Sequence, residues 1–142
     1  MEESEQTQEA PNEYLEQLQR LQAEFINYRT RVEKEKQLMG EYSKDIILRK
    51  FLEIRDNFER APKLDQGMEI IYKQFLDIFQ KEGVEEIETK NFDPELHEAI
   101  ATREDIAKDV IAEVARKGYK RGDRILRTAH VVVGNNDGEQ TK

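Results

Sequence analysis

Residues 14–32, YLEQLQRLQAEFINYRTRV, carry the pattern that decides the fold of this 142-residue chain. Large side chains recur there at alternating spacings of four and three residues, at Tyr14, Leu18, Leu21, Phe25, Tyr28 and Val32. Such a repeat places them in one narrow seam along a helix, as in a coiled coil. Because a single helix cannot bury this seam against itself, the pattern predicts that two long helices pair.

The predicted helix runs without a proline from Asn12, a suitable N-cap, to Ala61, and Pro62 then ends it. Gly40 weakens its middle, since glycine in a helix interior costs about 1 kcal/mol relative to alanine. Beyond Gly40 the apolar residues are denser and cover a wider face, at Ile46, Ile47, Leu48, Phe51, Leu52, Ile54 and Phe58. This wider face predicts packing in a helical bundle.

A second helix is predicted between Asp65, a suitable N-cap, and Gly83, a suitable left-handed residue beyond the C-terminus. Its apolar stripe consists of Met68, Ile71, Tyr72, Phe75, Leu76 and Phe79. A helix pair buries only one side, and two copies would form a four-helix bundle. The sequence therefore predicts a homodimer, with dimer contacts at Leu18, Leu21, Phe25, Tyr28, Val32, Phe51, Phe58, Ile71 and Phe75.

From Val84 onward, short apolar runs rich in β-branched residues predict strands over residues 84–87, 99–102, 110–114 and 125–133. We therefore expect an α+β fold with long paired N-terminal helices, a helical bundle at the dimer interface and a small C-terminal all-β domain. The expected boundaries are a disordered acidic tail over 1–12, the helices over 13–83, the β domain over 84–134 and a frayed tail over 135–142.

The charge balance disfavours several classes of partner. Lys and Arg number 23 against 31 Asp and Glu, and the net charge of −8 opposes a non-specific grip on nucleic acid or on an anionic membrane. No stretch approaches the roughly 20 apolar residues of a membrane span. The absence of cysteine excludes disulfides and thiolate metal sites and fits a reducing compartment. We expect a soluble, cytoplasmic protein that binds neither nucleic acid nor membrane.

Residues for catalysis are scarce. The two serines are Ser4 and Ser43, and the two histidines, His97 and His130, lie 33 residues apart, so no catalytic triad is evident. A metal site built from both histidines and carboxylates stays open beside a purely structural role for them. The glycines match neither GxGxxG nor GxxxxGK. We expect no enzyme activity, no bound metal or cofactor and no directly bound nucleotide.

Two basic clusters remain. Residues 29–36 contain four basic residues among acids, a pattern typical of a solvated helix face. Residues 116–127 contain six basic residues and one acid, Asp123. The second cluster could bind nucleic acid, although only Tyr119 is available for stacking on bases. A protein partner with an acidic rim fits it at least equally well.

Several sequence motifs follow one another over residues 13–133. The helices contain AEFINYRTR (23–31), DNFERA (56–61) and GMEIIY (67–72). The β region contains GV (83–84), FDPELHEA (92–99), KGY (117–119) and RILRTAHVVV (124–133). In this order the motifs resemble the GrpE family, the nucleotide exchange factors of bacterial DnaK-type heat-shock chaperones.

The resemblance implies a bacterial co-chaperone of protein folding and the stress response. In such a protein one β domain of a parallel homodimer docks on a single DnaK ATPase domain, opens its nucleotide cleft and promotes release of ADP. By position, the implied chaperone contacts are Arg29 and Tyr42 on the long helix, Arg124 and Val133 in the β domain and, as further candidates, Arg31 and Arg127.

The alternative is a coiled-coil dimeric scaffold or adaptor that presents its β domain to other proteins without exchange activity. Release of labelled ADP from a DnaK-type ATPase separates the two hypotheses. An exchange factor accelerates that release, whereas a scaffold leaves the rate unchanged.

Overall fold

The computed structural model describes the backbone of residues 2–138 and the side chains of residues 10–138. The helices in this part of the chain are α1 (Glu2–Arg60) and α2 (Gln66–Lys81). The strands that follow are β1 (Val84–Glu86), β2 (His97–Ala107), β3 (Ile111–Arg116), β4 (Tyr119–Arg121), β5 (Arg124–Arg127) and β6 (Ala129–Asn136). This succession of helices and then strands confirms the predicted α+β fold.

The two ends of α1 compare differently with the sequence prediction. The helix ends at Arg60, one residue before the predicted end at Ala61 and two residues before Pro62. It begins at Glu2, ahead of Asn12, where the sequence pattern places the start. The disordered tail over 1–12 stays a prediction, and the last four residues of the frayed tail over 135–142 lie outside the described residues.

Both ends of α2 form as the sequence predicts. The Asp65 carboxylate accepts a hydrogen bond of 2.8 Å from the backbone N–H of Met68, which satisfies a donor that the helix itself cannot pair. After the last turn, Gly83 adopts a φ of 80°, the left-handed conformation that favours glycine. The chain then turns directly into β1.

The six strands form two three-stranded sheets. The first sheet is antiparallel, with β4 between β1 and β5. The second sheet has β6 in its centre, parallel to β2 and antiparallel to β3. The central strand of the second sheet thus comes last among the strands of the described chain.

The prediction of one strand over residues 125–133 is wrong, because the chain changes sheets within it. β5 belongs to the first sheet and β6 to the second, with Thr128 between them. At this crossing the backbone of Gly118 packs closely against that of Thr128 and Ala129. A Cβ atom on Gly118 would lie only 2.4 Å from the Ala129 nitrogen. Residues 119–121 form β4, which is not among the strands that the sequence predicts.

The main apolar core lies where α1, α2 and the first sheet meet. Leu52 on α1 and Tyr119 on β4 are fully buried. The same cluster contains Phe79 of α2, Leu126 of β5 and the first residue of β1, Val84. Since full burial of one large apolar side chain contributes about 1.5 to 3 kcal/mol, this cluster holds the helices and the sheet together.

The chain divides into two compact units, residues 1–43 and residues 44–142. The first is helical, and the second contains the remainder of α1, all of α2 and both sheets. The domain boundaries expected from the sequence, at residues 83 and 134, stay predictions. Neither helix of the described chain is apolar over a sufficient length to cross a membrane.

Gly118→Ala should lower the free energy of unfolding by about 3 kcal/mol, because the new methyl group would overlap backbone atoms of Thr128 and Ala129 that cannot move independently. Urea unfolding followed by circular dichroism measures this change. Gly40→Ala is the matched control: its Cβ meets no atom within 4 Å, so it should stabilise α1 by about 1 kcal/mol. Equal unfolding midpoints for the parent and the Gly118 variant would refute the steric argument.

Candidate functional site

The seam predicted from residues 14–32 lies on the surface of the first unit. Leu18, Leu21, Phe25 and Tyr28 are each between 54% and 62% exposed, and Val32 is 36% exposed. Soluble chains rarely leave a continuous row of large apolar side chains in water. The seam is therefore a candidate contact surface.

Three predicted chaperone-contact residues, Arg29, Arg31 and Tyr42, also belong to the first unit, and all three are exposed. The Arg31 guanidinium lies 5.6 Å from the centre of the Tyr28 ring, a cation–π contact that restrains both side chains. The two arginines thus lie close to the seam in sequence, with Arg31 directly against one of its members.

A second apolar surface is formed by α1 and α2 within the second unit. Aromatic contacts join the two helices: the Phe58 and Tyr72 rings stack at 5.0 Å, and Phe75 lies 6.2 Å from both Phe51 and Phe58. Large apolar side chains on the same helices remain more than 40% exposed, namely Ile46, Ile47, Phe51, Ile54, Met68, Ile70, Ile71 and Ile78. The helix pair therefore buries one side and leaves another open.

The β4–β5 hairpin is attached to α1 through a buried carboxylate, Asp45. Its Oδ1 accepts a hydrogen bond of 3.0 Å from Arg121, and its Oδ2 accepts one from the Nε of Arg124. Arg121 also donates to the backbone carbonyl of Glu82 at 2.6 Å. We call Asp45 with these two arginines the Asp45 clamp. A carboxylate that is only 5% exposed needs such charged partners to remain ionised.

The pKa of Asp45 reflects two opposing effects. Burial alone would raise it, but hydrogen bonds from Arg124 and Arg121, together with their positive charges, lower the pKa of this carboxyl below its ordinary value of 3.8. The carboxylate is therefore charged throughout the neutral range.

A second clamp joins Asp56 of α1 to Arg127 of β5. The guanidinium donates two hydrogen bonds, of 2.7 and 2.6 Å, to the two carboxylate oxygens, and its Nε donates to the Lys117 carbonyl at 2.8 Å. The Tyr119 ring lies 5.3 Å from this guanidinium and 4.5 Å from that of Arg55. Burial, aided by nearby carboxylates and opposed by the positive charge of Arg55, raises the pKa of Tyr119 to about 12. The phenol is accordingly neutral within the core.

The basic cluster over residues 116–127 is thus mostly directed toward acids of the same chain. Arg121, Arg124 and Arg127 reach α1, and the Lys117 ammonium lies 3.3 Å from the Glu59 carboxylate. Arg127 and Val133, both predicted contact residues, are only 8% and 7% exposed. Of the predicted β-domain contacts, Arg124 is the one with a substantial exposed part.

The two histidines have separate structural partners. His97 is buried: its Nδ1 accepts a hydrogen bond from the Asp93 N–H at 2.9 Å, so its Nε2–H donates to the Glu88 carbonyl at 2.6 Å. His130 lies 3.3 Å from the Glu98 carboxylate on the neighbouring strand. Among the described side chains, no group of three or more His, Cys, Asp or Glu could hold a metal ion.

Asp45 and Asp56 both fix the β region on α1, although the sequence pattern alone predicts no role for Asp45 and no contact for Asp56. A signal for them exists. They are 11 residues apart, which is about three helical turns, and therefore share a face with Leu48 and Leu52. Acids in line with a buried apolar stripe require buried cationic partners.

Comparison with known proteins gives one consistent result. The profile of the GrpE family matches residues 1–135. A relative from Alkaliphilus oremlandii, named Protein GrpE, is 47% identical over 130 residues, which cover 82% of this chain and 70% of the relative. Proteins of the same name from Clostridium perfringens and Bacillus cereus are 41% and 40% identical over 82% and 80% of this chain. The chain spans 61% and 67% of the lengths of those two relatives.

The Asp45 clamp should make stability depend on pH in the acid range. Because the pKa of Asp45 is lowered in the folded chain, its stabilising effect is fully present above the unfolded value of 3.8 and is lost as the pH falls through the folded value. Asp45→Asn should cost about 3 kcal/mol at pH 7, and the difference from the parent should shrink below about pH 4. Urea unfolding of both chains between pH 7 and pH 2.5 tests this, and a constant difference would contradict it.

Proposed function

Because the chain belongs to the GrpE family, we propose that it is a nucleotide exchange factor that binds the ATPase domain of a DnaK-type chaperone, opens its nucleotide cleft and promotes release of ADP. The observation that carries this proposal is the family match over residues 1–135, which includes the helical seam and both sheets. The protein forms and breaks no covalent bond in this role. It acts as a co-chaperone and not as an enzyme.

Such an activity needs only a difference in binding free energy. The protein must bind the open, nucleotide-poor ATPase domain more tightly than the closed domain that holds ADP. Linkage then requires that ADP weakens binding of the exchange factor by the same factor by which the exchange factor weakens binding of ADP. Neither a bound nucleotide nor a cofactor on this chain is needed.

We assign the contacts with the chaperone to both units. In the first unit they are Arg29, Arg31 and Tyr42, and their exposed side chains support this assignment. In the second unit the direct contact is Arg124, whose side chain is 34% exposed. The buried Arg127 and Val133 act beneath that surface by fixing β5 and β6.

We also propose a homodimer, in which the exposed seam and the open side of the helix pair meet their counterparts in a second copy. The exposure of Leu18, Leu21, Phe25 and Tyr28 supports the seam, and that of Phe51 and Ile71 supports the bundle. A homodimer covers both surfaces with one partner and one symmetry operation. Phe58 and Phe75 already contact each other within one chain and support the bundle from inside.

Release of a fluorescent ADP from a DnaK-type ATPase domain tests the function directly. We expect the parent chain to accelerate release, and Arg124→Ala to reduce the acceleration about tenfold, as loss of a central interface arginine commonly does. Arg103→Ala is the control: Arg103 also pairs with an aspartate, Asp105, but that pair is exposed on β2. It should stay within about twofold of the parent.

A parent chain that leaves the release rate unchanged would exclude the exchange function and favour the scaffold hypothesis. Equal rates for the parent and for a folded Arg124 variant would instead show that the docking site is misplaced.

Phe25→Asp should dissociate the dimer, because the new carboxylate would stand in the centre of the apolar seam. Pairing of two seams would remove water from this charge, which is energetically costly. Ala23→Asp, on the opposite side of the same helix, is the control and should remain dimeric. Sedimentation equilibrium decides between 16.8 kDa and twice that mass. A monomeric parent at micromolar concentration would refute the dimer proposal.

A further inference from the structure

The β4–β5 hairpin brings two arginines to one carboxylate. Arg121 is the last residue of β4 and Arg124 the first of β5, and the two are paired directly across the strands. Only Gly122 and Asp123 separate them, and the φ of 61° at Gly122 fits the first position of a tight hairpin turn. Both side chains extend to Asp45 on α1.

Two like charges directly across a β ladder repel each other. Asp45 offsets this repulsion, since its carboxylate is negatively charged and accepts hydrogen bonds from both guanidinium groups. The planar guanidinium offers donors in a fixed fork, so contacts from both the Nε and the Nη2 of Arg124 set the plane of the group as well as its position.

The two arginines are not equivalent within the clamp. Arg121 is additionally anchored to Glu82, through the backbone carbonyl at 2.6 Å and the carboxylate at 3.6 Å, and its side chain is only 10% exposed. The Arg124 side chain is 34% exposed. Arg121 is thus a fixed part of the interior, while Arg124 links the interior to the surface.

We propose that Asp45 is a positioning residue for docking on the chaperone: it holds the Arg124 guanidinium in the orientation in which its exposed part meets the partner. This inference rests on the proposed exchange function. In addition to its apolar contacts, α1 then orients a docking residue of the β region, because Asp45 sets the orientation of Arg124, which lies 79 positions later in the chain.

A double-mutant cycle on ADP release tests the proposal. We expect Asp45→Asn to raise the half-saturating concentration of the exchange factor about tenfold, and Asp45→Glu to restore most of that loss. The Asp45→Asn/Arg124→Ala double variant should be no weaker than Arg124→Ala alone, since Asp45 acts through Arg124. Asp105→Asn, which breaks the exposed pair with Arg103, is the matched control and should equal the parent.

Several outcomes would overturn the proposal. One is an Asp45→Asn variant that is equal to the parent or tighter than it; a tighter variant would mean that Asp45 competes with the chaperone for Arg124. Losses that multiply in the double variant would indicate a general structural effect. If the parent chain fails to accelerate ADP release, the exchange function itself is refuted. If the parent chain is active and the Asp45→Asn variant is equally active, only the positioning role of Asp45 is refuted.

A measurement on the parent alone keeps the test valid if Asp45→Asn does not fold. The Nε proton of Arg124 should exchange with water at least about tenfold more slowly than that of the exposed Arg29, because Asp45 accepts its hydrogen bond. Nuclear magnetic resonance of the arginine side chains measures both rates. Equal rates would show that Asp45 does not hold Arg124.

Discussion

Burial of Leu52 on α1 together with Tyr119 on β4 is the interaction on which the second unit depends. These two side chains come from elements that are far apart in sequence, and no other fully buried pair joins the helix to the first sheet within the described residues. On either side of Leu52 the same helix face carries an acid, Asp45 toward the N-terminus and Asp56 toward the C-terminus. The apolar contact supplies the free energy, and the two acids fix the register of the strands on the helix.

Local signals in the sequence were sufficient for both ends of α2 and for the C-terminal end of α1, but not for the start of α1. The cap at Asp65, the left-handed Gly83 and the stop before Pro62 each depend on residues within a few positions of one another. The seam is equally local, because a spacing of three and four residues defines a helix face.

The clamps could not be predicted in the same way. Arg121 and Asp45 are 76 residues apart, and Arg127 and Asp56 are 71 apart, so the arginines resemble an open basic patch when the sequence is taken alone. The crossing at Thr128 was missed for a similar reason. The change of sheet depends on close packing against Gly118. The apolar periodicity over residues 125–133 does not indicate that contact. Contacts between residues that are far apart in the chain cannot be deduced from the pattern of a single sequence.

The placement of β6 determines when the second sheet can form. β2 and β3 are each paired with β6 and not with each other, although both precede it in the chain. During synthesis, β2 and β3 are therefore both made before β6, the strand that pairs with each of them. In contrast, all three strands of the first sheet, and the helices that pack on it, are complete once β5 has been made. The helical part can fold while translation continues, and β2 remains an unpaired segment of 11 residues until the last strand arrives. A chain that stalled on the ribosome before residue 129 would keep β2 and β3 without their shared partner strand, and unpaired strand edges of this kind favour aggregation.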